Sequence, residues 1–171
     1  MSATHPVSPL QQARSDYQPK LPLVFTQHGA AVRCVEGERL DPLADVEAIH
    51  QLFPHTAGLP MLTFEPGTGP AGKKVCAGVI LSGGQAPGGH NVIAGLFDGL
   101  KSLNPANRLV GFLGGPSGLV DGKQIEITAE LLADYRNTGG FDIIGSGRTK
   151  LEKAAQFDQG LEHCRKLGLN A

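Results

Sequence analysis

The residues with the clearest chemical potential lie in two glycine-rich loops, the first of which spans residues 83–89. It follows an apolar run at residues 75–81, and apolar residues at helical spacing follow it. A strand, a glycine loop and a helix in this order direct backbone N–H groups toward an anion. We expect Gly83 and Gly84 to hold a phosphate group, because Gly84 has no Cβ and lets a phosphoryl oxygen approach the backbone. The residue pattern alone fits a plain turn between strand and helix about equally well.

The second loop, residues 145–150, carries the cations Arg148 and Lys150. It follows a predicted strand, and open α/β sheets bind ligands at the carboxyl ends of their strands. The forked guanidinium of Arg148 suits phosphate oxygens, and Lys150 adds a second positive charge. Taken alone, Arg148 is most simply a solvated loop cation. Its place at the same predicted sheet edge as the first loop favours a shared phosphate site.

Other kinds of chemistry find little support in the sequence. It has no paired carboxylates, no zinc-ligand spacing and no nucleophile–base pair, so we predict no metal ligand in this chain. The three cysteines are far apart in sequence and form no C-x-x-C motif, and an odd count does not make a disulfide framework. His90 lies beside the first loop and is expected to cap or pack against the helix start. Asp98 and Asp142 are expected to be structural.

The composition narrows the class of protein. The 171 residues carry a formal net charge of −1 and include 5% aromatic residues. A net charge so close to zero suggests neither a nucleic-acid binder nor a polybasic membrane protein. No stretch is long and apolar enough to cross a bilayer, and the first residues lack the pattern of a secretory signal. We therefore expect a mostly aliphatic core and a cytoplasmic, reducing compartment.

Strands and helices are predicted to alternate along the second part of the chain. The predicted strands are at residues 75–81, 108–112 and 141–144, with a short extended piece at 125–127. The predicted helices are at residues 91–103, from Thr128 to Gly139, and at 153–167, and residues 113–118 form a loop. This alternation predicts an α/β fold with a parallel sheet and right-handed crossovers.

Residues 1–72 are predicted to form an N-terminal extension to an α/β domain at residues 73–171. Residues 1–20 are polar and contain prolines, which indicates a mobile arm or a strap on another surface. An edge strand or strap is predicted at residues 21–25 and a strand at 32–35. A helix is predicted to follow, with Asp41 as its N-cap, Pro42 as its first residue and Pro54 directly after its end. Residues 65–72 are predicted to be a linker.

The last predicted helix ends at Gly168, three residues before Ala171. In an alternating series the next element is a strand. We therefore expect part of the sheet to be missing, as in a truncated protein or the first half of a larger one.

These residues resemble the signatures of the phosphofructokinase family. Residues 82–91, SGGQAPGGHN, are similar to its first signature, and most similar to that of the long-chain, pyrophosphate-dependent branch. The match continues in the family's order through the segments GF, GGPSG, YRN, GGFD and GSGR. Residues 17–23, YQPKLPL, resemble the N-terminal extension of that branch. The resemblance covers nearly all of the chain.

The resemblance implies a Rossmann-like, three-layer α/β fold of two similar domains, of which this chain supplies the extension and the start of the first. It implies magnesium-dependent phosphoryl transfer from pyrophosphate to the 1-hydroxyl of fructose 6-phosphate in glycolysis, by a cytoplasmic homodimer without nucleic-acid or membrane partners. By the family's motif, Gly84 binds the phosphoryl donor through its backbone. Arg148 binds the donor phosphate and neutralises the charge that develops during transfer.

The resemblance also has a clear limit. The family's next motifs are a Gly-Gly-Asp segment that binds metal and a Thr-Ile-Asp segment that carries the catalytic base, and neither occurs in this sequence. This chain alone is therefore expected to be inactive. Two alternatives remain open. An ATP-dependent phosphofructokinase is one, because the donor-selecting residue belongs to the missing Gly-Gly-Asp segment. A non-catalytic regulatory or binding subunit, which keeps the loop but not the chemistry, is the other.

Overall fold

A computed structural model describes residues 7–69, 72–85 and 87–171. The chain divides into a larger unit, formed by the described residues up to 19 and from 72 onward, and a smaller unit of residues 20–69. The elements in chain order are α1 (Pro9–Asp16), α2 (Leu23–His28), β1 (Val32–Arg39), α3 (Val46–Leu52), β2 (Pro60–Pro66), β3 (Cys76–Val79), α4 (Gly89–Leu103), β4 (Arg108–Phe112), α5 (Pro116–Asp121), β5 (Gln124–Glu126), α6 (Ala129–Ala133) and α7 (Ala154–Leu167). Among the described helices, none has the length and hydropathy needed to cross a membrane.

The sheet of the larger unit has the strand order β3-β4-β5. β3 and β4 are parallel, with Cys76 opposite Arg108, and α4 connects them. β5 is antiparallel to β4, whereas the sequence predicted a parallel sheet throughout. The chain reverses at Gly122 (φ +68°) directly before β5, in a connection too short for a crossover to a parallel strand. A mixed α/β architecture is confirmed.

The core of the larger unit lies between this sheet and the helices α4 and α6. α4 places its buried residues at helical spacing, at His90, Ile93, Ala94 and Phe97. The buried apolar cluster consists of Val79, Ile93, Ala94, Phe97, Leu109, Ile127, Leu132, Ile143 and Ile144. The predicted strands at β3 and β4 and the cap of α6 by Thr128, whose side chain accepts from Leu131 N–H, are confirmed.

Three predictions in the larger unit are wrong. Residues 141–144 form a turn rather than a strand, and an isolated bridge between Ser82 and Gly147 joins the following loop to the chain after β3. Their apolar pattern arises because Ile143 and Ile144 are buried in the core without joining a ladder. Residues 113–118, expected to be a loop, include the start of α5, where Pro116 occupies the first turn. α6 ends at Ala133, earlier than predicted.

The last three residues run beside β3. Asn170 N–H donates to Cys76 O (3.0 Å), and Gly78 N–H donates to Ala171 O (3.0 Å). The Asn170 side chain also accepts from Cys76 N–H (2.9 Å). The edge of β3 that does not pair with β4 is therefore hydrogen-bonded to the segment that follows α7 and its C-cap, Gly168.

The polar arm at the start of the chain contains a helix, α1, which has no buried residue. Asn137 holds its end, since its side-chain amide donates to Arg14 O and to Tyr17 O, both at 2.9 Å. Asn137 adopts a left-handed conformation (φ +56°), which asparagine tolerates better than most residues. Of the two expectations for this arm, a mobile segment or a strap on another surface, residues 9–17 match the strap. Residues 1–6 lie outside the described residues.

The smaller unit consists of the antiparallel hairpin of β1 and β2 with α2 and α3. Val32 lies opposite Pro66, and Arg33 pairs with Glu65 across the strands (2.9 Å). None of its described residues is buried. The hairpin is therefore held mainly by backbone ladder bonds and exposed side-chain pairs.

Three predictions in the smaller unit are also wrong. Residues 21–25 enter α2 rather than a strand, because Pro22 sits at the N-cap, where its missing N–H costs nothing. α3 begins after Asp45 rather than Asp41, whose carboxylate instead pairs with His50 (2.9 Å). Glu65 and Pro66 end β2 instead of starting a linker, and the proline stands at the strand end, where no ladder bond is lost. Pro70 and Ala71, from the same predicted linker, lie outside the described residues.

Candidate functional site

Three loops meet beyond the carboxyl ends of β3 and β4. Gly83 N–H, after β3, donates to Gly147 O (2.9 Å), and Gly147 N–H donates back to Leu81 O (3.3 Å). Gly114 N–H, after β4, donates to Ile144 O (2.7 Å). The loop at residues 145–148 is thereby fixed between the loops that follow the two parallel strands.

Glycines at this junction allow backbone to touch backbone. A Cβ on Gly115 would lie 2.5 Å from Gly147 N, and one on Gly147 would overlap Gly114 O. Gly115 also adopts φ +77°, a conformation that side chains disfavour. The glycine pairs noted in the sequence therefore serve first to pack the loops together.

An open cleft of about 720 Å³ lies between the first and third loops. Its lining consists of Gly83, Gly84, Gln85, Phe141, Gly145, Ser146, Gly147 and Arg148. Three of the four predicted phosphate-binding residues, Gly83, Gly84 and Arg148, thus line one cleft. Lys150 is exposed two residues beyond it and is not part of the lining.

Arg148 lies directly over Gly84. A Cβ added to Gly84 would be 2.6 Å from Nη2 of Arg148, so the guanidinium packs against the bare backbone. Arg148 is exposed, and the ion pairs within the described residues do not include it. The cleft therefore presents a guanidinium fork beside a backbone segment without a side chain, which together suit an anion.

The start of α4 contributes less than the sequence suggested. Gly88 N–H donates to Gly139 O (2.7 Å), and His90 N–H donates to Gly140 O (2.8 Å). The expectation that the N–H groups at this helix start are free for an anion is wrong for these two residues. The groups of the cleft that suit an anion are instead on residues 83–85 and 145–148. Ala86, within the same loop, lies outside the described residues.

Sequence reasoning did not single out Gln85, Ser146 or Phe141, which also line the cleft. Gln85 and Ser146 are neighbours of the predicted residues, so their place in each loop was the available signal. Phe141 was assigned to a strand, which concealed its position. His90 packs at the start of α4, as predicted, and is buried.

The cleft is lined by backbone, amide, hydroxyl, aromatic and guanidinium groups. Among the residues that the structure describes, no three or more His, Cys, Asp or Glu side chains cluster in a way that could hold a metal ion. The two acids named in the sequence analysis have other partners: Asp98 pairs with Arg136 (2.7 Å), and Asp142 lies 2.9 Å from His90.

Comparison with known proteins places this cleft in context. No protein-family model matches the chain. The chain is 53% identical over 169 residues to pyrophosphate–fructose 6-phosphate 1-phosphotransferase of Porphyromonas gingivalis and 44% identical over 177 residues to that of Treponema pallidum. Each match covers 96% of this chain. A subunit beta 2 of the same name from Arabidopsis thaliana is 42% identical over 166 residues and 95% of the chain. The chain spans about 30% of the length of these curated relatives.

Proposed function

We propose, from the chain's homology over nearly its whole length to the pyrophosphate-dependent phosphofructokinases, that its cleft binds the phosphoryl donor of a phosphotransferase. The donor is pyrophosphate, and the acceptor is the 1-hydroxyl of fructose 6-phosphate, as the names of the relatives indicate. The observation that carries the proposal is the guanidinium of Arg148 held against the bare backbone of Gly84 in an open cleft.

Phosphoryl transfer needs positioning and electrostatic stabilisation more than covalent chemistry from the protein. In the proposed complex, Gly83 and Gly84 bring backbone within reach of a phosphate oxygen. Arg148 binds the donor through its fork and neutralises negative charge that develops on the leaving phosphate. Lys150, outside the cleft lining, adds positive potential near its entrance.

Magnesium is proposed for the complete enzyme, where it shields the charge of the phosphates. The described residues do not fit a resident metal site, because they contain no cluster of metal-ligating side chains. No step of the reaction is therefore assigned to a metal held by this chain. The proposal for this chain is limited to donor binding and charge neutralisation.

The proposal extends to the organisation of the complete enzyme. Residues 1–72 are its N-terminal extension, and residues 73–171 begin a Rossmann-like, three-layer donor-binding domain. The enzyme is a cytoplasmic homodimer that acts in glycolysis and binds neither nucleic acid nor membrane. The catalytic base lies outside this chain, so the chain binds the donor without turnover.

Titration with sodium pyrophosphate, followed by calorimetry, tests the donor site. Arg148→Gln is expected to weaken binding about tenfold or more, since a hydrogen bond to a charged group contributes about 1.5–3 kcal/mol. Arg33→Gln, which removes an exposed arginine from the smaller unit, is the matched control and should leave the affinity unchanged. Equal affinities of wild type and Arg148→Gln contradict the proposed site.

A phosphotransfer assay tests the division of labour. The 171-residue chain with pyrophosphate and fructose 6-phosphate is expected to form no fructose 1,6-bisphosphate above background. Turnover by this chain alone contradicts the proposal that the base lies elsewhere. Tighter binding of ATP than of pyrophosphate would contradict the assigned donor and favour the ATP-dependent alternative.

A further inference from the structure

Ser146 lies between two anchored residues of its loop. Before it, Ile144 O accepts from Gly114 N–H (2.7 Å), and Ile144 is only 2% exposed. After it, Gly147 O accepts from Gly83 N–H (2.9 Å). The backbone on both sides of Ser146 is therefore held in place by the neighbouring loops before any ligand binds.

The side chain of Ser146 presents a hydroxyl in the wall of the cleft. Ser117, at the same loop junction, donates its proton to Gly114 O (3.0 Å), and Ser102 donates to Gly99 O (2.8 Å). The hydrogen bonds between described residues leave the Ser146 hydroxyl without a partner, and it is not among their buried polar atoms. A polar group that is held in place and left unpaired in a cleft is available to a ligand.

Ser146 and Arg148 lie on one side of an extended segment. Gly147, between them, forms the parallel bridge with Ser82. In extended backbone, residues two positions apart point to the same side, with their Cα atoms about 7 Å apart. Both side chains accordingly line the cleft. One wall therefore offers two separate hydrogen-bond donors, of which one is cationic and the other neutral.

An anion with two phosphate groups suits these two donors better than an anion with one. In pyrophosphate the two phosphorus atoms share a bridging oxygen, and the ionised outer oxygens of each group accept hydrogen bonds. One group can take the guanidinium fork of Arg148 while the other reaches the hydroxyl of Ser146. A single phosphate bound at Arg148 leaves that hydroxyl unpaired. The cleft, with a volume of about 720 Å³, has room for both groups.

Gln85 is the other neutral polar side chain in the lining, on the opposite loop. It is exposed and longer than serine, so holding it in one rotamer costs more conformational entropy. Ser146 has a short side chain on anchored backbone and loses less freedom when it binds. The hydroxyl of Ser146 is therefore the better prepared of the two donors.

We propose that Ser146 is a specificity-determining residue of the cleft, whose hydroxyl donates to one phosphate group of pyrophosphate while Arg148 binds the other. This rests on the proposed donor-binding function. Arg148 supplies affinity for any phosphate, and Ser146 supplies the preference for two linked phosphate groups over one. The hydroxyl acts only by binding and forms no bond to phosphorus.

The test measures the affinity of the 171-residue chain for sodium pyrophosphate and, separately, for sodium orthophosphate by NMR titration of backbone amides. Ser146→Ala is expected to weaken pyrophosphate binding about tenfold, since it removes one hydrogen bond to a charged group. It should leave orthophosphate binding unchanged. Ser146→Thr keeps a hydroxyl at this position and should retain the preference. Arg148→Gln should weaken the binding of both anions.

Ser117→Ala is the matched control for a structural effect. It removes a hydroxyl at the same loop junction, but one that bonds to Gly114 O and does not line the cleft. Loosening of the loops changes the affinity for both anions together, so the ratio of the two affinities should keep its wild-type value. The amide spectrum verifies that each variant keeps the fold.

The outcomes separate the two proposals. If Ser146→Ala binds pyrophosphate as wild type does, or loses affinity for both anions by the same factor, the role of Ser146 is overturned while the donor site stands. If Ser146→Ala loses only the preference for pyrophosphate and Arg148→Gln loses both anions, both proposals are supported. If wild type binds no pyrophosphate, the proposed function is contradicted, and the role of Ser146 with it.

Discussion

The two units of this chain both contain helices and strands but differ in what holds these elements together. In the larger unit, the sheet and its helices enclose nine buried apolar residues in one cluster. In the smaller unit, every described residue from 20 to 69 keeps part of its surface in solvent. A two-stranded hairpin without a buried face is marginal in water. The candidate site therefore belongs to the unit that has a buried core, whereas the smaller unit has little stability of its own.

The largest effect is expected when one phenylalanine is truncated in each unit, which tests whether the two units differ in the stability of their packing. Phe112 in β4 is 2% exposed, whereas Phe64 in β2 is 51% exposed. Phe112→Ala is expected to destabilise the larger unit by about 3–5 kcal/mol, because the cavity it leaves cannot close fully. Phe64→Ala should cost about 1 kcal/mol, through its tilted contact with Phe25. Urea unfolding followed by circular dichroism measures both, and equal losses contradict the difference between the units.

The second largest effect is expected at a glycine that allows loops to touch. Gly115→Ala combines an unfavourable positive φ with a Cβ 2.5 Å from Gly147 N, at a total cost of about 3 kcal/mol. Gly29→Ala in the smaller unit has the same kind of φ (+56°) but open space around the Cβ, and should cost about 1 kcal/mol. Hydrogen exchange at residues 113–115 and 145–147 should rise only in the first variant. Unchanged exchange there means that the loops are not packed as described.

The sequence was informative where one local rule decides the structure. Apolar periodicity located α4, and the capping residue Thr128 located the start of α6, because both signals act over a few neighbouring residues. The sequence also singled out the two glycine loops and Arg148. The structure brings these loops together through the isolated bridge between Ser82 and Gly147, and not because both follow strands of the sheet.

The failures share a different cause. Ile143 and Ile144 have the composition of a strand, yet they fill the core from a turn, and only the tertiary structure decides that. The antiparallel β5 depends on a reversal at Gly122 that periodicity does not report. The contacts of the buried His90 with Thr138 and Ile143 also join residues 48 and 53 positions apart in sequence, which no local pattern contains.

A smaller effect distinguishes the strapped arm from the core within the larger unit. Asn137→Ala removes two hydrogen bonds to the carbonyls that end α1 and leaves alanine in a left-handed conformation. We expect a loss of about 1–2 kcal/mol and faster hydrogen exchange in residues 9–16. Asn137→Gly is the control, since it removes the same bonds but relieves the backbone. Equal exchange in wild type and both variants contradicts the strap.

The smallest expected effect compares an ion pair in each unit as the pH falls. In the larger unit, the hydrogen bond from Arg108 holds the pKa of Glu126 below its ordinary value of 4.5. A carboxyl whose pKa is lowered by folding stabilises the folded state above its unfolded pKa, and that contribution is lost as the pH falls through the folded pKa. Both partners keep more than a third of their side-chain surface in solvent, which screens the pair, so the contribution is small.

Glu126→Gln should therefore lower stability slightly at neutral pH and converge with wild type as the pH falls from 4.5 through the lowered pKa of Glu126, which urea unfolding at several pH values measures. Glu65→Gln removes the acid of the Arg33 pair in the smaller unit and serves as the matched variant. Since that unit lacks a core, its strand pair should unfold separately from the cooperative transition of the larger unit. Glu65→Gln should therefore leave the urea midpoint of that transition unchanged at every pH. If Glu65→Gln shifts this midpoint as much as Glu126→Gln does, the two units unfold together. The difference between the units would then be one of side-chain burial and not of stability.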